Sequence, residues 1–298
     1  MPGEYAMTDI FHTILNNRGL LKVSGKDKFD FLQGLVSNDV TNISRDCAIY
    51  AAMLTPQGKF LFDFFMYDWE SSILIETEGN RLAELKKRLN MYKLRAEIDL
   101  EDVSASWCVN ALWGADALAF LGLSRNPGAA NAWQGGVIAV DPRISSAGAR
   151  ALLPNNHGIQ LPGKCVPPSK YDLHRLDLGL PDGGRDMILE KSILLEYGFD
   201  ELNGINWDKG CYIGQELTAR TKYRGLIKKR LVPVNVDGVM PPVGTPILMD
   251  GKNIGELRSG RDGRALAVLR IEHLQNTNSS FTAENATVFP KKPNWAEF

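Results

Sequence analysis

Two Asp-Gly pairs near the end of the chain restrict its fold more than any other feature. Asp250-Gly251 and Asp262-Gly263 separate three short apolar runs, at 247–249, 254–257 and 265–271. An Asp-Gly pair between apolar runs is the strongest short-range signal for a two-residue β-hairpin. The stretch 231–236, which alternates apolar and polar residues, adds one more strand. Short strands at this spacing predict a small antiparallel β-barrel that begins near residue 226.

The part of the chain before residue 226 has a mixed pattern of strands and helices. Leucines and phenylalanines recur at helical spacing around residues 29–35 and 82–89, between runs rich in aromatic and β-branched residues. The predicted strands are 19–23, 50–54, 60–67, 72–77, 94–103, 107–113 and 136–140, and further helices are predicted at 115–121 and 169–178. We therefore predict an α+β fold of two modules, 1–105 and 106–225, followed by a barrel at 226–298.

The bulk composition excludes several classes of protein. The net charge is −1, which does not favour nucleic acid or an acidic membrane as the main partner. No run of about 20 apolar residues could cross a membrane as a helix. The first residues carry Glu4 and Asp9 and lack a basic opening, which argues against a secretory or transit leader. We expect a cytoplasmic protein, or one of the mitochondrial matrix if the source is eukaryotic.

The four cysteines lie far apart and form no C-x-x-C pair. This spacing argues against a disulfide scaffold and against a self-contained zinc or iron–sulfur site, so no metal ligands are assigned. Any cluster would need ligands from distant segments, a second subunit or a partner. Cys47, Cys108 and Cys165 stand in apolar or proline-rich surroundings and are predicted to be structural.

The fourth cysteine lies in the most informative segment, Lys209-Gly-Cys-Tyr-Ile-Gly-Gln-Glu216. Two glycines around one thiol indicate a tight backbone that another molecule could approach closely. An ammonium two residues away and a following helix would both favour the thiolate of Cys211. The alternative is that Cys211 is buried and inert and that the glycines serve a turn, because free cysteine is among the most buried residue types.

The same segment resembles the K-G-C-[FY]-x-G-Q-E signature of the YgfZ family, folate-binding relatives of the glycine-cleavage T-protein that include a mitochondrial iron–sulfur assembly factor. Further similar segments are Phe31-Leu-Gln-Gly-Leu-Val-Ser-Asn-Asp-Val40, Pro56-Gln-Gly58, Tyr92-Lys-Leu-Arg95 and the stretch from His174-Arg175 to Gly179-Leu-Pro181. The resemblance implies a three-domain ring, with two modules related to the ferredoxin-like fold and a C-terminal barrel, around a channel for tetrahydrofolate or another folate derivative. It also implies support of iron–sulfur proteins, among them tRNA-modifying enzymes, with assembly proteins or client enzymes as partners.

The resemblance also suggests roles for individual residues. A carboxylate suits the adjacent N–H donors of a pterin and a cation suits the glutamate tail. Glu196 and Asp177 are therefore candidates for the pterin, and Arg175 could pair with either acid or with the tail. The remaining candidates are the loop residues Asn38 and Asp39, the motif residues Gln215 and Glu216, Arg220 for the anionic tail, and Cys211, Lys209 and Asp63 for chemistry.

Each of these assignments has a simpler alternative. Arg175 and Asp177 could be a helix-surface ion pair. Asn38 and Asp39 could form an Asx turn. Asp63, in an apolar strand, could be buried with a raised pKa or could face outward. The basic run 220–230 could be a solvated surface, a lining for polyglutamylated folate or a docking site for an acidic partner, and no nucleic-acid motif accompanies it.

Three functions stay open at this point, and whether the chain catalyses a reaction is one of the open questions. The first is folate-dependent maturation or repair of iron–sulfur proteins, with Cys211 as the working thiol. The second is aminomethyl transfer, against which the single Asp63 counts, because true aminomethyltransferases carry a G-G-x-I-D-D type strand in this region. The third is a scaffold that has kept the folate-binding fold without catalysis.

Overall fold

A computed structural model describes residues 9–155, 159–274 and 281–298. The first eight residues lie outside the described residues, and with them Glu4, on which the expectation of no secretory or transit leader partly rests. The chain forms two compact units, each made of several segments. The first comprises residues 1–53, 62–168 and 203–213, and the second comprises 54–61, 169–202 and 214–298. In the described part no helix is long and apolar enough to cross a membrane.

A five-stranded sheet is formed by the segments that the sequence predicts as early strands. Its strands lie in the order Ile49–Leu54, Phe60–Trp69, Ser72–Glu78, Arg18–Ser24 and Asp99–Asp102. The accompanying helices are Lys28–Gln33 and Leu82–Lys93. The second helix buries Leu82, Leu85 and Leu89, as their spacing predicts.

A six-stranded sheet follows in the first unit, and it includes a strand from near the start of the chain. The order is Lys164–Cys165, Phe11–Ile14, Trp107–Trp113, Ala149–Pro154, Gly136–Val140 and Ala130–Trp133. Phe11–Ile14 pairs antiparallel with Trp107–Trp113. A short helix, Ala117–Phe120, accompanies this sheet. This sheet combines segments from both sides of residue 105. The predicted module limits at residues 105 and 225 remain a prediction.

The barrel confirms the prediction from the Asp-Gly pairs. Six strands close in the order Lys229–Asp237, Arg264–Arg270, Lys252–Arg261, Pro246–Met249, Phe281–Ala283 and Ala286–Pro290. Asp250 and Gly251 both have positive φ, 49° and 75°, as do Asp262 and Gly263, at 48° and 75°. A two-residue turn with both φ angles positive is type I′, which matches the twist of the flanking strands.

The second unit also contains the helices Pro168–Leu178, Gly183–Asp186 and Gln215–Tyr223, and a 3₁₀ turn at Leu194–Tyr197. Arg175, on the first of these helices, is 4% exposed and donates to Asp172, Asp186 and Ser259 at 2.8, 2.6 and 2.6 Å. The bond to Ser259 ties this helix to the barrel strand Lys252–Arg261.

One expectation from the sequence is wrong in part. Only Asp99–Asp102 of the predicted strand 94–103 is a strand, because Leu94 has a φ of 41° and ends the preceding helix. After the last barrel strand, the tail is tied to the helix Pro168–Leu178, because the indole N–H of Trp295 donates to the carbonyl of Leu178 at 2.7 Å.

A buried ion network supports the first unit. Glu76 is fully buried and accepts hydrogen bonds from Arg18, Tyr67 and Arg150. Asp141, also fully buried, pairs with Arg143 at 2.8 Å and lies 3.8 Å from the guanidinium of Arg150. Burial opposes ionisation of Glu76, but the charges and hydrogen bonds of Arg150 and Arg18 outweigh it and lower the pKa of Glu76 to about 2.

Candidate functional site

The segment around Lys209 is fastened to the end of a helix. The Lys209 ammonium donates to the main-chain carbonyls of Gln33, Val36 and Asn38 at 2.9, 2.7 and 2.6 Å. Gln33 is the last residue of the helix Lys28–Gln33, and carbonyls at a helix end lack partners within the helix and favour a cation. Burial lowers the pKa of Lys209 to about 8, although the charge of Asp39 partly opposes the shift. All three N–H donors of this lysine are used.

The thiol of Cys211 is exposed on this fastened segment. Its neighbours on both sides are held, because Lys209 is 7% exposed and the main-chain N–H of Ile213 donates to the carbonyl of Gly34 at 3.2 Å. Tyr212 is 7% exposed, and the Lys209 ammonium lies 5.2 Å from the centre of its ring. The segment thus presents an accessible thiol between two buried side chains. The alternative of a buried Cys211 is therefore wrong, and the reactivity of the thiol remains a prediction.

Asn38 and Asp39 organise the loop that receives Lys209. Asp39 accepts hydrogen bonds from the main chain and hydroxyl of Thr41 at 3.0 and 2.7 Å, which is an Asx turn. Burial alone would raise the pKa of Asp39, but the bonds from Thr41 and Gln33 and the charge of Lys209 lower it. Asn38 donates to the carbonyls of Tyr50 and Asn203, both at 2.8 Å. The Asx-turn alternative is therefore present, and a role of either residue in binding folate remains a prediction.

A cavity of about 570 Å³ opens beside this loop within the first unit. Asn38, Asn203 and Asn206 line it together with Tyr50 and the half-buried Cys47, whose thiol pKa is raised by burial. Cys211 is not among its lining residues. Cys47, Tyr50 and Asn203 could not be recognised as cavity residues from the sequence, because the lining comes from four distant segments.

Asp63 is 4% exposed and accepts a hydrogen bond from the hydroxyl of Tyr50 at 2.8 Å. The outward-facing alternative for this residue is therefore wrong. Burial, and next the charge of Asp63, raise the pKa of Tyr50 well above its ordinary value, so the phenol stays protonated and donates to the carboxyl group.

In the second unit, two of the sequence motifs meet through their glycines. Gly214, at a φ of 84°, begins the helix Gln215–Tyr223, and a Cβ placed there would lie 2.6 Å from the carbonyl oxygen of Thr55. Gly58, at a φ of 69°, lies opposite, and its Cβ would lie 3.2 Å from the carbonyl oxygen of Gly214. Only glycine suits both the positive φ and this close approach. The contact explains why Pro56-Gln-Gly58 and Gly214-Gln-Glu216 occur together in one chain.

Glu196 is a half-buried carboxylate in the second unit, in the 3₁₀ turn Leu194–Tyr197. Burial raises its pKa, and four nearby cations act in the opposite direction, namely Lys229, Lys59, Arg258 and Arg230. Lys59 directly follows the Pro56-Gln-Gly58 turn. That position beside a motif is the sequence signal that could have identified Lys59 as a candidate site residue.

The other predicted site residues of the second unit have different surroundings. The hydrogen bonds of Arg175 are made within the protein, as described above. Asp177 is exposed and pairs with Arg264. Glu216 and Arg220 are exposed and Gln215 is half-exposed on the helix Gln215–Tyr223. Their assignment to folate remains a prediction.

Two expectations about the cysteines can be compared with the structure. Among residues 9–155, 159–274 and 281–298, no three His, Cys, Asp or Glu side chains are placed to hold a metal ion. Cys165 is exposed, because it lies in the two-residue strand Lys164–Cys165 at the edge of its sheet. The expectation that Cys165 is a packed structural residue is therefore wrong.

Replacing Lys209 with methionine is expected to loosen the segment that carries Cys211. The three carbonyls would lose their shared donor, which costs roughly 1–3 kcal/mol in the free energy of unfolding. Amide hydrogen exchange in residues 206–213 should become faster, as read by mass spectrometry. The exposed Lys228→Met is the matched control and should change neither quantity. Unchanged exchange in Lys209→Met would show that the ammonium does not hold this segment.

Comparison with known proteins gives two family matches. Residues 15–126 match the GCVT N-terminal domain, and residues 228–298 match the CAF17 C-terminal beta-barrel domain. The crystal structure of the glycine cleavage system aminomethyltransferase T from Bartonella henselae has a TM-score of 0.75 and 14% identity. The match covers 97% of this chain and 87% of that one. At this identity the likeness shows the fold alone.

Among curated proteins, the human mitochondrial iron–sulfur cluster assembly factor IBA57 is 31% identical, over 92% of this chain and 81% of its own length. The IBA57 homolog of Mycosarcoma maydis is 32% identical, over 76% of this chain and 58% of its own length. For the homolog of Neurospora crassa the matched share of its length is 55%. The chain thus spans little more than half of these two fungal relatives.

Proposed function

The chain belongs to the family of the iron–sulfur cluster assembly factor IBA57, and on this premise we propose that it supports the assembly, maturation or repair of iron–sulfur proteins. The observation that carries the proposal is the exposed thiol of Cys211 on a segment fastened by the buried ammonium of Lys209. The proposed partners are iron–sulfur assembly proteins or the client enzymes, tRNA-modifying enzymes among them. The kinship with YgfZ proteins is part of the same proposal.

The geometry supports Cys211 as the working thiol of this function. A thiolate is both a nucleophile and a ligand for iron, so a thiol that handles sulfur or clusters has to be accessible to a partner. Cys211 meets that requirement, while its neighbours Lys209 and Tyr212 are buried. A fixed main chain around an exposed side chain reduces the entropy lost when a partner binds.

We further propose that the protein binds tetrahydrofolate or a related folate, with Glu196 as the group that accepts hydrogen bonds from the pterin. The carboxylate is half-buried, and among the described residues no hydrogen bond to it is seen. A carboxylate in that state can accept two N–H donors from one face of a pterin. The cations Lys59 and Lys229 favour its ionised form, which is the form that accepts. Bound reduced folate would supply one-carbon chemistry.

Replacing Glu196 with glutamine is expected to weaken tetrahydrofolate binding by about tenfold or more, because one charge-assisted hydrogen-bond acceptor is worth roughly 1.5–3 kcal/mol. Isothermal titration of the purified protein with tetrahydrofolate measures this. The control is Glu272→Gln, because Glu272 also lies in the second unit and its side chain is 67% exposed. Equal affinities for wild type and Glu196→Gln would remove Glu196 from the proposed site, and no binding by wild type would favour the scaffold alternative.

We do not extend the proposal to aminomethyl transfer. The strand Phe60–Trp69 carries one acid near its start, Asp63, and its carboxyl group is buried against the hydroxyl of Tyr50. Ammonia release from an aminomethyl-lipoyl carrier, measured with tetrahydrofolate present, is expected to be absent.

The IBA57 proteins of human and Mycosarcoma maydis are named as mitochondrial. We propose the mitochondrial matrix as the place of action if the source is eukaryotic, and the cytoplasm otherwise. Fractionation of the source cells with an antibody against the protein tests this. Recovery with a membrane or nuclear fraction would contradict it.

A further inference from the structure

The residue that ends the helix Leu82–Lys93 has a conformation that leucine rarely adopts. Leu94 has a φ of 41° and a ψ of −104°, and its side chain is 90% exposed. These angles are close to the first central position of a type II′ turn, which glycine normally occupies. Strained backbone of this kind persists only where the surrounding structure enforces it, and such residues cluster at ligand clamps, switch regions and other functional sites. Leu94 belongs to the segment Tyr92-Lys-Leu-Arg95. This segment has no role in the functions proposed above for Cys211 and Glu196.

A second apolar side chain and five cations surround Leu94 in the sequence. Met91, three residues before it, is 70% exposed. The stretch 82–96 contains five basic residues and one acid, Glu84, which is paired with Arg81 at 3.2 Å. All five basic side chains are exposed or half-exposed, and among the described residues none has an ion pair or hydrogen bond; they are Lys86, Lys87, Arg88, Lys93 and Arg95. We call Met91, Leu94 and these five cations the Leu94 surface.

We propose that the Leu94 surface is a docking site for an acidic segment of a partner protein, with Leu94 inserted into an apolar pocket of that partner. The unpaired cations supply a charge that an acidic surface complements. The two exposed apolar side chains supply an anchor that a pocket of the partner can remove from water. The basic residues also lie near a helix C-terminus, which favours them without any partner. The strained, exposed leucine is what that simpler explanation does not account for.

The surface fits a protein better than the other polyanions of a cell. Binding of nucleic acid uses cations for phosphates and exposed aromatic faces for bases. The two exposed apolar side chains, Met91 and Leu94, are not aromatic, and the aromatic residue between them, Tyr92, is only half-exposed. A membrane-surface helix carries an apolar face along its length, whereas this helix buries Leu82, Leu85 and Leu89 inside the protein. The large apolar side chains that are exposed here, Met91 and Leu94, both lie at one end of the helix.

The test uses the full chain and a fluorescent peptide of about 15 residues made of repeated Glu-Glu-Leu, with a poly-glutamate peptide of the same length as a second probe. Binding is read by fluorescence anisotropy. Leu94→Gly is expected to weaken binding of the first peptide by about fivefold or more and to leave the poly-glutamate peptide unaffected, because only the leucines need an apolar contact. The double variant Lys93→Glu with Arg95→Glu should weaken both peptides by about tenfold.

Two controls separate docking from folding and from the proposed function. Leu94→Gly relieves the backbone strain, so its melting temperature should equal or exceed that of wild type. Val239→Gly, at an 87% exposed position of the second unit, should bind both peptides as wild type does. Cys211→Ala should also bind normally, so that failure of the thiol proposal leaves this result unaffected.

Three outcomes would overturn the proposal. The first is equal binding of the Glu-Glu-Leu peptide by wild type and Leu94→Gly. The second is a lower melting temperature in Leu94→Gly, which would make the leucine a packing residue. The third is tighter, Leu94-dependent binding of oligouridylate or of phosphatidylglycerol vesicles, which would assign the surface to nucleic acid or to a membrane.

Discussion

Replacing Cys211 with alanine is expected to abolish the support that this protein gives to a client iron–sulfur enzyme. In cells that depend on the protein for iron–sulfur assembly, the client activity should fall to the level of cells without the protein. The thiol is exposed, so removing it changes the available chemistry rather than the packing. An alanine methyl group can neither attack sulfur nor bind iron, whereas a thiolate can do both. The measurement is the client activity in cells whose own copy is deleted, for example that of a radical-type tRNA methylthiolase.

The matched control is Cys165→Ala, which removes the other exposed cysteine. It should restore the client enzyme as wild type does. Circular dichroism melting should show the same stability for both variants, because neither side chain is buried. If Cys211→Ala restored the client fully, the thiol would have no part in the function.

Replacing Arg150 with methionine is expected to lower the free energy of unfolding by about 3–5 kcal/mol, because it breaks a buried ion network and leaves a buried carboxylate short of its partner. Arg150 is 3% exposed and bonds both oxygens of the fully buried Glu76. Denaturant unfolding at neutral pH gives the difference. Arg264→Met, which removes one partner of the exposed pair with Asp177, is the control and should cost less than about 1 kcal/mol.

The pH dependence distinguishes a lost ion pair from a lost packing contact. Glu76 has a pKa of about 2 in the folded state against 4.5 without the fold. A carboxyl group whose pKa is lowered by folding stabilises the protein above its unfolded pKa, and this contribution is lost as the pH falls towards the folded value. The gap between wild type and Arg150→Met should therefore narrow as the pH falls from 4.5 towards 2. A constant gap would show that Arg150 acts through packing alone.

The parts of the fold with local causes were accessible from the sequence. The Asp-Gly pairs predicted both hairpins, because the turn geometry depends on residues within the turn itself. The strand Trp107–Trp113 and the helix Pro168–Leu178 follow from runs of adjacent residues. The motif 209–216 also drew attention to the segment that carries the exposed thiol, although its chemistry alone left open whether Cys211 was buried.

The parts with long-range causes were not accessible. Phe11–Ile14 pairs with Trp107–Trp113, and nothing in either segment specifies the other. The sequence places Lys209 two residues from Cys211, but the structure directs its ammonium to carbonyls more than 170 residues earlier in the chain. The fold brings these carbonyls beside Lys209, and the flexible side chain with its three donors can then bond all three. The Tyr50–Asp63 bond likewise depends on two strands being paired.

The most direct test of the account is alkylation of the purified protein with iodoacetamide without denaturant, with each cysteine read by mass spectrometry. Cys108 and Cys165 are first replaced by serine to limit other reactions. Cys211 is then expected to be modified completely, and the alkylated protein is expected to lose its support of the reconstitution of a client iron–sulfur enzyme. A Cys211 that reacts only after unfolding, or an alkylated protein that keeps full activity in the reconstitution, would contradict it.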